Sequence, residues 1–333
     1  NLLGLGALQV AVTTAAIAVI TMLLGLPWSV ALAVGLVLAL SSTAIVLQTL
    51  NEKGLMRCDG GQASFSVLLF QDIAVIPMLA FLPLLALPEL VDVLPAGEPA
   101  GHGGAKVAEG DHGLTLSFVD GLAGWQRALV TAGAIAFVYV GGTFLSRPVF
   151  RFIAMARLRE LFTATALLLV VGIALLMIAV GLSPALGTFL AGVVLATSEY
   201  RHELESDIAP FKGLLLGLFF ITVGAAIDFD LLFASAGGIV AATLGLMLLK
   251  ALVLLGLSYL FDIRGADRWL FTLGLAQAGE FGFVLLAFAV ASAVIPSSLA
   301  ASLLLVVTLS MLLTPLLFII YDRLIAPRFA TAQ

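Results

Sequence analysis

Residues 68–77 read LLFQDIAVIP, and their reading decides the fold: Gln71 and Asp72 set an amide and a carboxylate side by side in an apolar run from about Ala63 to Leu87. The composition explains the setting. Hydrophobic residues make up 62% of the chain and charged residues 11%, whereas a soluble domain carries roughly 25% charged residues. The mean hydropathy is +1.20. Several apolar runs reach or approach the ~20 residues a helix needs to cross the ~30 Å hydrocarbon core, and no alternating barrel strands are visible. The sequence therefore predicts an all-α polytopic membrane protein embedded in a lipid bilayer.

Ten spans are expected: A 2–26, B 28–50, C 63–87, D 126–146, E 161–181, F 184–198, G 213–232, H 237–261, I 269–293 and J 297–320. The basic residues test the count, because Lys and Arg concentrate in cytoplasmic loops. Lys53 and Arg57 follow B, Arg147, Arg151, Arg157 and Arg159 follow D, Arg201 and Lys212 follow F, Arg264 and Arg268 follow H, and Arg323 and Arg328 follow J. The intervening connections hold only Lys106 and, at the edge of D, Arg127. Both ends of the chain are thus expected on the cytoplasmic side. The chain opens at Asn1 directly in a span, which reads as a fragment of a longer protein. The net charge of −5 says little, because acids collect in loops and bases are sorted by side, and no nucleic-acid partner is expected. Cys58, the only cysteine, excludes an internal disulfide and a multi-cysteine metal site. Residues 88–125 carry Gly, Pro and acids and are expected as a flexible external loop; His102 and His112 within it read as solvated side chains rather than metal ligands.

Ionisable residues inside a membrane cost at least ~2.5–3.5 kcal/mol each, so they are functional candidates by default. Asp72, Lys250 and Glu280 qualify. A structural ion pair of Asp72 with Lys250 is one reading, and a titrating pair is the other. Spans B and I add a second clue. Each interrupts its apolar run with small and polar residues, LALSSTAIVLQ at 38–48 and LGLAQAGEFGF at 273–283. Non-helical backbone at that depth is tolerated where it lines a cavity. Both helices are expected to break, near Ser41, Ser42 and Thr43 and near Gln277, Gly279 and Glu280, and to cross close to Asp72. B and I run in opposite directions, as do A and H and also C and J. That is the pattern of inverted repeats, which secondary transporters use to expose a central site alternately to either face.

The segments SSTAIVLQTLNEKGLM (41–56), SVLLFQDIAVIP (66–77), GLSPALGTFLAGVVLATSEYRHELESDIAPFKGLLLGLFFITVG (181–224) and AQAGEFGFVLL (276–286) resemble the membrane domain of Kef-type potassium/proton antiporters. The resemblance implies a thirteen-helix fold with three helices before Asn1, a homodimer in a bacterial cytoplasmic membrane, and an elevator-like motion. It implies that Asp72 carries the cation or the proton and that Lys250 is its ion-pair partner. Related sodium exchangers often carry two aspartates where Gln71–Asp72 stand, so Gln71 favours electroneutral K+/H+ exchange; the alternative is Na+/H+ exchange.

One carboxylate that holds either a proton or a partly dehydrated cation couples their opposite movements by mutual exclusion. Ser41, Ser42, Thr43 and the Gln71 amide oxygen are the expected additional ligands, while Glu280 is expected to balance helix ends at the crossing. The stretch 199–212 is expected as a cytoplasmic loop. The resemblance gives it a regulatory role through His202, Glu203, Glu205 and Asp207, acting with a C-terminal domain that binds nucleotide and glutathione. No Gly-x-Gly-x-x-Gly after a soluble strand marks such a domain here, so no cofactor is expected in this chain. HELES at 202–206 lacks the second histidine of a zinc protease motif, which leaves no expected metal site. An enzyme is not expected either: an aspartyl protease needs a second central aspartate, and serine chemistry needs a base beside Ser41 or Ser42, whereas every histidine lies in a loop. A cation channel would lack obligatory proton coupling.

Overall fold

The computed structural model describes residues 2–86, 159–179, 201–225 and 227–330, with scattered helical positions between 133 and 151 and between 188 and 195. The loop expected at 88–125, including His102 and His112, and most of spans D and F lie outside the described residues. Among the described residues the secondary structure is helical, with no strand. Five helices among the described residues are long and apolar enough to cross a membrane, Gly4–Leu23, Trp28–Glu52, Asp59–Leu79, Ala236–Leu260 and Ser297–Phe329. They coincide with spans A, B, C, H and J.

The chain divides into two compact units, residues 1–95 with 227–333 and residues 96–226. In the first unit, α1 (Leu2–Leu23) runs without a break, and Gly25 at φ +98 turns the chain into Pro27, which precedes α2 (Trp28–Ala39). A positive φ suits glycine, and the fixed φ of proline suits a helix start. Leu40 leaves the helix with extended backbone, and Ser42, also extended, caps α3 (Thr43–Glu52) by accepting the Ile45 N–H at 3.3 Å. Ser-Ser-Thr therefore ends one helix and starts the next, because a serine oxygen satisfies an amide that the new helix cannot. Next come α4 (Asp59–Phe81) and, after residue 227, a short α7 (Phe229–Ala234) and α8 (Ala236–Leu260). Span I is broken into α9 (Gly265–Gly274) and α10 (Phe281–Ala291), with residues 275–280 between them. A long α11 (Ser297–Ile320) passes through a π turn, Tyr321–Ile325, into α12 (Ala326–Ala330).

The apolar stripes decide which faces meet. On α4, Phe65, Leu69 and Ile73 are exposed at four-residue spacing while Val67, Leu68 and Gln71 are buried; on α8, Leu244, Leu248 and Leu252 are exposed while Met247, Lys250, Leu254 and Leu257 are buried. The exposed stripes suit lipid, and the buried ones place Gln71 and Lys250 inside the unit. One core joins Leu5 of α1, Val46 and Leu50 of α3, Val67 and Leu68 of α4, Leu254 of α8, Phe271 of α9 and Phe318 of α11. It ties both broken helices to the continuous ones.

The breaks touch. A Cβ built on Gly279 would lie 2.4 Å from the Ser41 carbonyl oxygen and 2.5 Å from its carbon. Both obstacles are backbone, which no rotamer change can move. Gly279→Ala is therefore expected to force the two breaks apart, at a cost of roughly 1–3 kcal/mol. A parental unfolding temperature in Gly279→Ala would contradict this packing.

The second unit holds α5 (Arg159–Ala179) and α6 (Arg201–Ala225), which pack around Ala166, Leu195 and Leu204. Helix α6 corrects the loop expected at 199–212. From Arg201 onward the stretch is helical and continuous with the apolar residues of span G. Its Arg, Glu and Lys content is compatible with helix, and Arg201 meets Glu205 one turn later at 3.7 Å.

Candidate functional site

Two helix breaks at membrane depth leave backbone groups that water cannot reach, so each needs a protein partner. The side chains picked out by the sequence supply most of them. Lys250, fully buried on α8, donates to Leu40 O at 2.8 Å, to Ser41 Oγ at 3.1 Å and to Gln277 O at 2.7 Å. Two of these acceptors are carbonyls of opposite breaks. The Ser41 hydroxyl donates in turn to Leu275 O at 2.8 Å, and the Ala278 N–H donates to Ser310 Oγ of α11 at 3.1 Å. The three N–H groups of the Lys250 ammonium thus go to one hydroxyl and two carbonyls.

Asp72, half-buried on α4, accepts a hydrogen bond at Oδ1 from Thr43 Oγ1 at 2.9 Å. The next residue along α3, Ala44, donates its N–H to Glu280 Oε1 at 3.1 Å. Two carboxylates thus meet consecutive residues of one helix start, whose free N–H groups favour negative charge. Glu280, at the start of α10, thus reaches across to the first turn of α3. Its Oε2, and both ends of the fully buried Gln277 amide, meet no partner among the described residues.

The other residues expected at the site bond to backbone of the breaks. Gln71 Oε1 accepts the Ser41 N–H at 2.8 Å, and Ser42 Oγ caps α3. The sequence reading missed Gln9 of α1, which accepts from Gln71 Nε2 at 2.7 Å and donates to Ala39 O at 3.1 Å and Thr13 Oγ1 at 3.2 Å. A lone amide in the apolar run LLGLGALQVAV was the available signal, since polar side chains inside a bundle tend to bond across helices. Ser310 gave less signal, being one small residue among many.

At one end of the unit, Lys53 pairs with Asp322, and Asp267 Oδ2 accepts the Asp59 N–H at 3.1 Å where α4 begins. Burial pushes the Cys58 thiol above its usual range, and Arg264 beside Asp262 holds that carboxyl below its own. In the second unit His202 and Glu205 are exposed, 3.7 Å apart. The side chains of Glu203 and Asp207 lie outside those described.

Chemically, the crossing offers an acid that can hold a proton or a small cation, a hydroxyl beside it, and a frame of satisfied backbone that keeps both in place. The family model described as sodium/hydrogen exchanger, transmembrane, matches residues 1–319. Members are cation:proton antiporters, integral to membranes, and transporters rather than enzymes. A match over nearly the whole chain, on a helical structure with two broken helices meeting beside a half-buried carboxylate, means that this protein belongs to the sodium/hydrogen exchanger family.

Proposed function

We propose that the chain exchanges K+ for H+ by alternating access, with Asp72 as the shared carrier and the two crossed breaks as the inverted pair around which the site is exposed to either face. The supporting observation is the Thr43 hydroxyl on the Asp72 carboxylate at the mouth of a broken helix. A cation arriving at Asp72 takes a Thr43 oxygen lone pair and a carboxylate oxygen, and the proton leaves because one carboxylate cannot hold both. Ser41, Ser42 and Gln71 shape the backbone of the break, and their oxygens keep a lone pair with which to complete the ion's shell. The amide at Gln71, where a second acid would add charge, leaves one titrating carboxylate per cation and so an electroneutral exchange.

The alternative is Na+/H+ exchange, which the same carboxylate can support. Potassium and sodium jumps of equal concentration on pH-loaded vesicles separate the two. The expected result is faster proton movement with K+, at a rate unaffected by an imposed membrane potential. A larger response to Na+ assigns the sodium reading instead.

A further inference from the structure

We propose that Gln9 is a positioning residue for cation exchange, acting through Gln71 to hold the α2–α3 break in the geometry that brings the Thr43 hydroxyl onto Asp72. The inference rests on Asp72 being the carrier, as proposed above.

The amide orientations are dictated by what surrounds them. The Ser41 N–H can only donate, so the atom of Gln71 facing it at 2.8 Å must be the oxygen. That turns the Gln71 NH2, which can only donate, toward α1, where it needs an acceptor and finds Gln9 Oε1 at 2.7 Å. With its oxygen used, Gln9 presents its own NH2 to Ala39 O at 3.1 Å. The result is a closed ring. It leaves the break at the Ser41 amide, passes through two glutamine side chains, and returns to the break at the Ala39 carbonyl. Gln9 is fully buried, Gln71 and Ser41 are 1% exposed, so water cannot substitute for either amide. Thr43 is two residues beyond Ser41, and the backbone that this ring clamps is the backbone that aims its hydroxyl.

The ring also gives a reason for an amide at position 71. A carboxylate there could still take the Ser41 N–H, but its other oxygen would face Gln9 Oε1. If Gln9 flipped to donate, its oxygen would face Ala39 O, and two acceptors would be left in contact. Gln9 and Gln71 are therefore matched, and each should tolerate change only with the other.

The experiment compares parent, Gln9→Leu, Gln9→Glu, Gln71→Leu and the double variant Gln9→Leu/Gln71→Leu in vesicles. It measures K+-driven proton movement as a function of K+ concentration, with rates normalised to inserted protein. Gln9→Leu is expected to raise the apparent KM for K+ by roughly 10-fold with a near-parental maximal rate, the size of effect that loss of one or two buried hydrogen bonds permits. The double variant should add little to either single change, because both open the same ring. If Gln9→Leu inserts poorly, Gln9→Glu decides, since it keeps the size but, when ionised, loses the donor to Ala39 O. A parental KM in the inserted variants, or a fall in maximal rate alone, would overturn the proposal. Asp72→Asn in the same assay separates the two claims. If Asp72→Asn is silent while the Gln9 variants keep the parental KM, only the role of Gln9 fails; if Asp72→Asn still exchanges, the carrier assignment fails first.

Discussion

Lys250→Met should lower the unfolding temperature of the solubilised protein by roughly 5–10 °C and abolish exchange, because it leaves Leu40 O and Gln277 O buried without a donor. Each orphaned carbonyl costs about 1–3 kcal/mol, and methionine, of similar length, offers no N–H to either. The two carbonyls belong to opposite breaks, so the loss unties the crossing rather than one helix. Lys250→Gln should fall between parent and Lys250→Met, since its shorter side chain brings two N–H groups to three acceptors. The titrating pair with Asp72 expected from sequence would give another outcome, a shifted pH profile in an intact fold. Thermal unfolding and pH-resolved exchange of both variants distinguish the accounts. A parental unfolding temperature with only a displaced pH optimum would favour a titrating Asp72–Lys250 pair and remove Lys250 as the tie between the breaks.

The helices and the positions of both breaks were legible because composition and polar interruptions state them directly. Spans A, B, C, H and J appear as membrane-length helices where apolar runs demanded them. The interruptions at Ser41–Thr43 and around Gly279 appear because an N-cap serine and runs of small and polar residues are local signals. What stayed illegible was partner choice. The Leu40 and Gln277 carbonyls that Lys250 meets become free acceptors only once both helices have broken, so the sequence does not announce them. The bond from Gln71 to Gln9 links residues 62 positions apart and follows from packing. The error at 199–212 had a simpler cause: charged residues were read as loop, whereas Arg and Glu are good helix formers and pair across one turn.

The second large effect concerns Asp72. Asparagine is nearly the same size and can still accept the Thr43 hydroxyl hydrogen bond, so the crossing should survive the substitution with a parental unfolding temperature. What it removes is the charge that attracts a cation and the proton that must leave when one binds. Exchange by mutual exclusion then has no carrier. The decisive measurement is K+-driven and Na+-driven proton movement in vesicles containing equal amounts of inserted parent and Asp72→Asn protein, recorded across pH. The carrier assignment predicts that Asp72→Asn gives the trace of vesicles without the protein, at every pH and with either cation. Exchange by Asp72→Asn at the parental rate would contradict it and place the shared cation and proton site elsewhere in the chain.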